Sequence, residues 1–93
     1  MKPTNNQHTT RIAVVGVGNV GTSAAYALTL GGIAEDLLLV DIRASVRDSL
    51  VRDLSDVAHG IKSRTRVRAA TYQEVGQCDI VVLTPGSERS PGG

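Results

Sequence analysis

At 93 residues the chain is one small domain or part of a larger one, since domains commonly run to about 100–150 residues and a chain this short buries only roughly 60–65% of its unfolded surface. Apolar residues at 41% and ten glycines fit a globular protein, and a formal net charge of +1 supplies no electrostatic reason to expect a nucleic-acid partner. The single cysteine, Cys78, cannot form an intramolecular bridge, residues 1–10 lack the apolar centre of a secretion signal, and no apolar run approaches the ~20 residues of a membrane span, so a soluble cytoplasmic protein with no membrane partner and no metal site is expected.

Residues 1–10 are polar and aperiodic and read as a disordered leader, with structure beginning at Arg11. Three continuous apolar runs follow: Ile12-Ala13-Val14-Val15, Leu37-Leu38-Leu39-Val40 and Ile80-Val81-Val82-Leu83. Unbroken aliphatic runs of this length are what strands buried on both faces of a parallel sheet look like. Between the first two, residues 20–30 carry Val20, Ala24, Ala27 and Leu28 at helical spacing, with Gly31-Gly32 as the stop. A second helix shows a stripe of Val46, Leu50, Leu54, Val57 and Ile61 opposite Arg47, Asp48, Arg52, Asp53 and Asp56. Ser45 with Asp48 reads as a variant capping box at its start and Gly60 as its C-terminal stop. Residues 65–70 alternate charged and apolar, which suits an edge strand with one wet face. The order β-α-β-α-β-turn-β is α/β: half of a doubly wound parallel sheet in the order 3-2-1-4, with a ligand crevice at the carboxyl ends of strands 1 and 4.

The sequence Gly16-Val17-Gly18-Asn19-Val20-Gly21 stands where that crevice requires it, directly after strand 1 and at the start of helix 1. A bare G-x-G-x-x-G is weak evidence, and the strand-turn-helix context is what turns it into a dinucleotide fingerprint of the Rossmann type. Gly16 permits the tight turn, Gly18 lets backbone approach a pyrophosphate, and Gly21 allows the helix to lie close to the sheet, with the pyrophosphate on the helix N-terminus around Asn19 and Val20. Asp41 ends strand 2, twenty residues after Gly21. That spacing suits an acid accepting hydrogen bonds from the adenosine ribose, and its charge favours NAD over NADP. Arg43 argues the other way, as a partner for a phosphate, provided Asp41 is first displaced or neutralised.

These residues resemble those of the L-lactate/L-malate dehydrogenase family. The likeness runs through residues 11–21, Leu38-Leu39-Val40-Asp41-Ile42, Asp53-Leu54, Cys78 to Gly86, and Arg89-Ser90-Pro91-Gly92, and so covers nearly everything after residue 10. It implies that Val20, Tyr72, Thr84, Gly86 and Ser87 line NAD, although Tyr72 reads equally well as a packing residue. The family has Thr-Ala-Gly at the end of strand 4; here Thr84-Pro85-Gly86 departs from it, and Pro85 removes one backbone N–H. The residue three beyond that glycine is glutamine in lactate enzymes and arginine in malate enzymes, and this chain has Arg89. The resemblance therefore implies a parent oxidoreductase, expected as a homo-oligomer, that passes a hydride between NAD(H) and a small 2-hydroxy or 2-oxo acid. Malate/oxaloacetate is favoured over lactate/pyruvate. No catalytic residue is placed within residues 11–93, which read as a partial dinucleotide-binding domain that stops before the catalytic region.

A non-catalytic dinucleotide-binding module and a truncated half-domain remain alternatives. Cys78 reads as a small core residue, His59 as a helix-end residue facing the carbonyl pole, and Lys62, Arg64, Arg66 and Arg68 as a solvated basic face.

Overall fold

Short aliphatic runs separated by amphipathic segments bury most apolar surface when the runs lie side by side and the segments cover them. The computed structural model describes residues 10–85 and shows this arrangement. Its elements are β1 (Arg11–Val15), α1 (Asn19–Gly31), β2 (Asp36–Val40), α2 (Ala44–Ile61), β3 (Arg66–Ala69), α3 (Tyr72–Val75) and β4 (Ile80–Leu83). The strands form one parallel sheet in the order β3-β2-β1-β4, as the sequence predicts. Ile12 stands opposite Leu37 and Ile80, and Val15 opposite Val40 and Leu83. Of the expected leader, residues 1–9 lie outside the described residues, and the Thr10 carbonyl accepts the amides of Glu35 and Asp36. No helix among the described residues is long and apolar enough to cross a membrane.

Alternate residues of a strand project to opposite faces, and the aliphatic runs fill both. Ile12, Val14, Leu37 and Leu39 meet Val17, Ala25, Leu50 and Leu54 in the larger core, so α1 and α2 cover the same face. Both helices connect strands that step in one direction across the sheet. The connection through α3 steps back from β3 to β4, and a crossover of the same hand then lies on the other face. There Ala13, Leu38, Val40 and Ala70 pack with Val75 and Cys78. Burial pushes the Cys78 thiol up, in keeping with a small core residue rather than a nucleophile.

Five local expectations give way to the structure. First, α1 buries Gly21, Ala25 and Thr29 rather than the face led by Val20, which is 62% exposed. Small residues face the sheet because the helix lies too close for larger ones; Thr29 satisfies its hydroxyl on the Ala25 carbonyl at 2.8 Å. Second, Ser45 and Asp48 form no capping box. The N-cap of α2 is Arg43, because Asp41 accepts the Arg43 amide at 2.8 Å and folds residues 41–43 into a turn that starts the helix earlier, while Asp48 pairs with Arg47.

Third, α2 runs through Gly60, and Lys62 takes the left-handed position with φ 58. Tertiary hydrogen bonds set that stop: Ser63 Oγ donates to the Thr29 carbonyl at 2.9 Å and Thr65 Oγ1 to that of Ala34 at 2.5 Å. Val46 and Ile61, at the two ends of the stripe, are exposed. Fourth, the turn before β4 is the short helix α3, which carries a capping box between Thr71 and Glu74. Fifth, β4 is apolar without being buried, since among the described residues it pairs only with β1; Ile80 is 51% and Leu83 75% exposed. Three cations of the basic face pair with acids, Arg64 with Glu35, Arg66 with Asp36 and Arg68 with Glu74.

Candidate dinucleotide site

The chain leaves β1 at Val15 and must turn at once to enter α1 at Asn19. Gly16 makes the turn with φ +93, in the region that favours glycine, and its N–H donates to the Val40 carbonyl at 2.8 Å. A Cβ on Gly16 would lie 2.5 Å from Thr84 Oγ1. That hydroxyl sits between the carbonyls of Val15 (3.0 Å) and Gly16 (2.9 Å), and the Thr84 N–H donates to Val15 at 3.1 Å, so the end of β4 is fastened to the turn. Val17 points inward, only 2% exposed, and anchors the turn in the larger core.

Gly18 is the N-cap of α1 in extended backbone, and no described side chain caps that helix. The first-turn amides of α1, beside exposed Asn19 and Val20, thus present the positive end of a thirteen-residue helix. Gly21 brings this helix end onto the turn, since a Cβ there would stand 1.8 Å from the Gly16 carbonyl oxygen. A diphosphate fits such a cradle, because the first-turn amides of α1 carry no side-chain cap among the described residues.

Asp41 closes the neighbouring side. It is 8% exposed, and its Oδ2 accepts the Val17 N–H at 2.8 Å, which ties the carboxyl end of β2 to the glycine turn. The Arg43 side chain grips the same carboxylate with Nε on Oδ1 at 3.0 Å and Nη2 on Oδ2 at 2.8 Å. The Arg43 guanidinium holds the Asp41 carboxyl well below the usual carboxylate range; burial pushes the other way, but the Val17 and Arg43 amides add to the lowering.

Gly16, Gly18, Asn19, Val20, Gly21, Asp41 and Thr84 therefore come together at the carboxyl ends of β1, β2 and β4. Tyr72 opens α3 beyond the end of β3 and is 60% exposed, which disfavours a packing role. Gly86, Ser87 and Arg89 lie outside the described residues. Three contributions escaped the sequence: the inward Val17, the Arg43 grip on Asp41, and Thr22, whose hydroxyl donates to the Val17 carbonyl at 3.1 Å. Only Arg43 left a signal, as a cation two residues from the acid. A groove of about 380 Å³ between α1 and α2, lined by Thr22, Ser45, Val46, Ser49, Leu50 and Asp53, involves none of the sequence-predicted cofactor residues.

This is the layout of a dinucleotide-binding half-domain of the Rossmann type. Comparison with known proteins narrows it: residues 10–93 match the family described as lactate/malate dehydrogenase, NAD binding domain, and the chain belongs to that family. It is 40% identical over 86 residues to L-lactate dehydrogenase 3 of Bacillus thuringiensis subsp. konkukian, a match covering 92% of this chain and 27% of that protein. Against L-lactate dehydrogenase A of Rhizopus oryzae it is 40% identical over 82 residues, 88% of this chain and 25% of the relative. Among solved structures, the minor L-lactate dehydrogenase of Enterococcus mundtii in a ligands-bound form superposes with a TM-score of 0.81 at 33% identity, covering 91% of this chain and 27% of that one. Lactate dehydrogenase of Cryptosporidium parvum, complexed with lactic acid and nicotinamide adenine dinucleotide, gives 0.80 at 25% identity over 90% and 26%. The chain thus spans about a quarter of the length of these relatives.

Proposed function

We propose that these residues are the cofactor-holding portion of an oxidoreductase that transfers a hydride between NAD(H) and a 2-hydroxy or 2-oxo acid. The nicotinamide supplies the hydride chemistry, and this chain binds and orients the dinucleotide. In this reading the α1 amides behind Gly18, Asn19 and Val20 take the pyrophosphate, Asp41 takes the adenosine ribose, and Val20, Tyr72, Thr84, Gly86 and Ser87 line the rest. The observation that carries it is the 2.8 Å bond from the Val17 amide to Asp41, which joins the phosphate cradle to the acid of the next strand. Calorimetric titration of NAD+ into the chain and into Gly18→Val is the test. Loss of binding with unchanged circular dichroism is expected, and equal binding by the two proteins sinks the reading.

For the substrate, Arg89 favours oxaloacetate/malate. A second carboxylate enclosed beside it gains a planar, charge-assisted fork, whereas the methyl group of pyruvate leaves the guanidinium unpaired. The names of the relatives favour the opposite reading, lactate/pyruvate. The 93 residues alone are expected to oxidise NADH with neither acid, so the comparison belongs in a polypeptide extended to the relatives' length. Preference for oxaloacetate that shifts toward pyruvate in Arg89→Gln supports the malate side; pyruvate preference with Arg89 present ends it.

A further inference from the structure

The carboxylate assigned to the ribose is already fully engaged. Oδ1 accepts the Arg43 amide (2.8 Å) and Arg43 Nε (3.0 Å), and Oδ2 accepts the Val17 amide (2.8 Å) and Arg43 Nη2 (2.8 Å). An ionised carboxylate offers about four acceptor positions, so these bonds fill it. Two come from backbone and are set by the fold. The other two come from a side chain that is 49% exposed and sits at the N-cap of α2, while the Asp41 side chain beneath it is 5% exposed.

We infer that Arg43 governs cofactor selectivity as a displaceable plug, masking Asp41 from the ribose diol of NAD and offering its guanidinium to the 2′-phosphate of NADP, so that the preference for NAD is narrow. This rests on the dinucleotide reading of the site and adds to it a residue that the reading did not use. A ribose diol reaches Asp41 only by taking the positions that Nε and Nη2 hold, and charge-assisted bidentate bonds are the strong ones. NAD binding therefore carries the loss of that fork. NADP disturbs the same fork but replaces it, since the planar guanidinium turned outward fits two phosphate oxygens as well as it fits a carboxylate. Standing between the two anions, it also offsets the repulsion that a bare Asp41 would exert on the phosphate.

The test titrates NAD+ and NADP+ calorimetrically into the chain and into Arg43→Ala and Arg43→Gln. Removing the plug is expected to tighten NAD+ about tenfold and weaken NADP+ about tenfold, widening the ratio about a hundredfold. An unchanged ratio, or one that moves toward NADP+, overturns the inference. NAD+ binding that depends on Gly18 but ignores Arg43 leaves the site standing and removes only the plug, whereas absence of binding in every protein removes both. A second readout needs no substitution: the Arg43 Nε–H resonance of the unaltered chain should exchange slowly without nucleotide and quickly with saturating NAD+. A resonance that NAD+ leaves undisturbed refutes the displacement even if the variants do not fold.

Discussion

The tightest contact in the site is also its most exposed to test. Gly21→Ala would set a Cβ 1.8 Å from the Gly16 carbonyl oxygen and 3.4 Å from Val14 Cγ1. The first neighbour is backbone in a turn held by hydrogen bonds on both sides, so it cannot rotate aside as a side-chain tip would. Reaching a 3.0 Å separation requires α1 to move by 1.2 Å (3.0 − 1.8) from the sheet that buries Ala25 and Thr29. Overpacking of this kind costs about 1–3 kcal/mol and sometimes more, and a close approach to backbone belongs at the upper end. Alanine recovers about 1 kcal/mol of helix propensity. The net expectation is a loss of about 2 kcal/mol. Gly60→Ala is the matched control, since Gly60 lies within α2 and a Cβ there meets nothing within 4 Å. It should stabilise by about 0.5–1 kcal/mol. Urea unfolding followed by circular dichroism reads both, with the midpoints moving in opposite directions at constant slope. If Gly21→Ala unfolds at or above the urea concentration of the unaltered chain, helix α1 is not seated on the turn as described.

Lys62 adopts φ 58 where glycine is the usual occupant, so Lys62→Gly should raise stability by about 0.5–1 kcal/mol in the same assay, and a loss would show that the lysine is not in that conformation. The folded pKa of Asp41 lies below its unfolded value of about 3.9, so its contribution is fully present above about pH 5 and drains away as acid takes the pH through that value toward the folded one. The urea midpoint of the unaltered chain should therefore fall from pH 5 to pH 3 more steeply than that of Asp41→Asn; parallel profiles would remove Asp41 from the account of acid stability. The apolar edge of β4, with Leu83 75% exposed, should make the 93-residue chain self-associate. Sedimentation is expected to show association that Leu83→Lys reduces, and a clean monomer of the unaltered chain at high concentration contradicts this.

The sheet order and the glycine turn were legible because they depend on local, high-contrast signals: aliphatic runs, and glycines at fixed offsets from a strand end. What was not legible depended on partners distant in sequence. The stop of α2 follows from Ser63 reaching Thr29 and Thr65 reaching Ala34, separations of 34 and 31 residues, and a reading of Gly60 alone misses both. The packed face of α1 follows from how near the helix comes to the sheet, which selects small residues over the larger Val20. In the opposite case, the Thr71–Glu74 capping box was a local signal in plain view, overshadowed by the weaker pair at Ser45 and Asp48. Arg43 was recognisable as a cation near an acid, but its bidentate hold depends on rotamers that spacing does not encode.

Gly16 is bonded to β2 through the Val40 carbonyl, and its own carbonyl receives the Thr84 hydroxyl at the end of β4. The turn is therefore held in shape by strands on both sides before any ligand arrives. Fixing the backbone of one residue consumes about 1–2 kcal/mol of conformational freedom, and for this segment that loss falls in folding rather than in binding. Affinity at such a site is governed by how fast a nucleotide escapes a ready-made cradle, and slow amide exchange at Gly16 in the ligand-free chain would register that readiness directly.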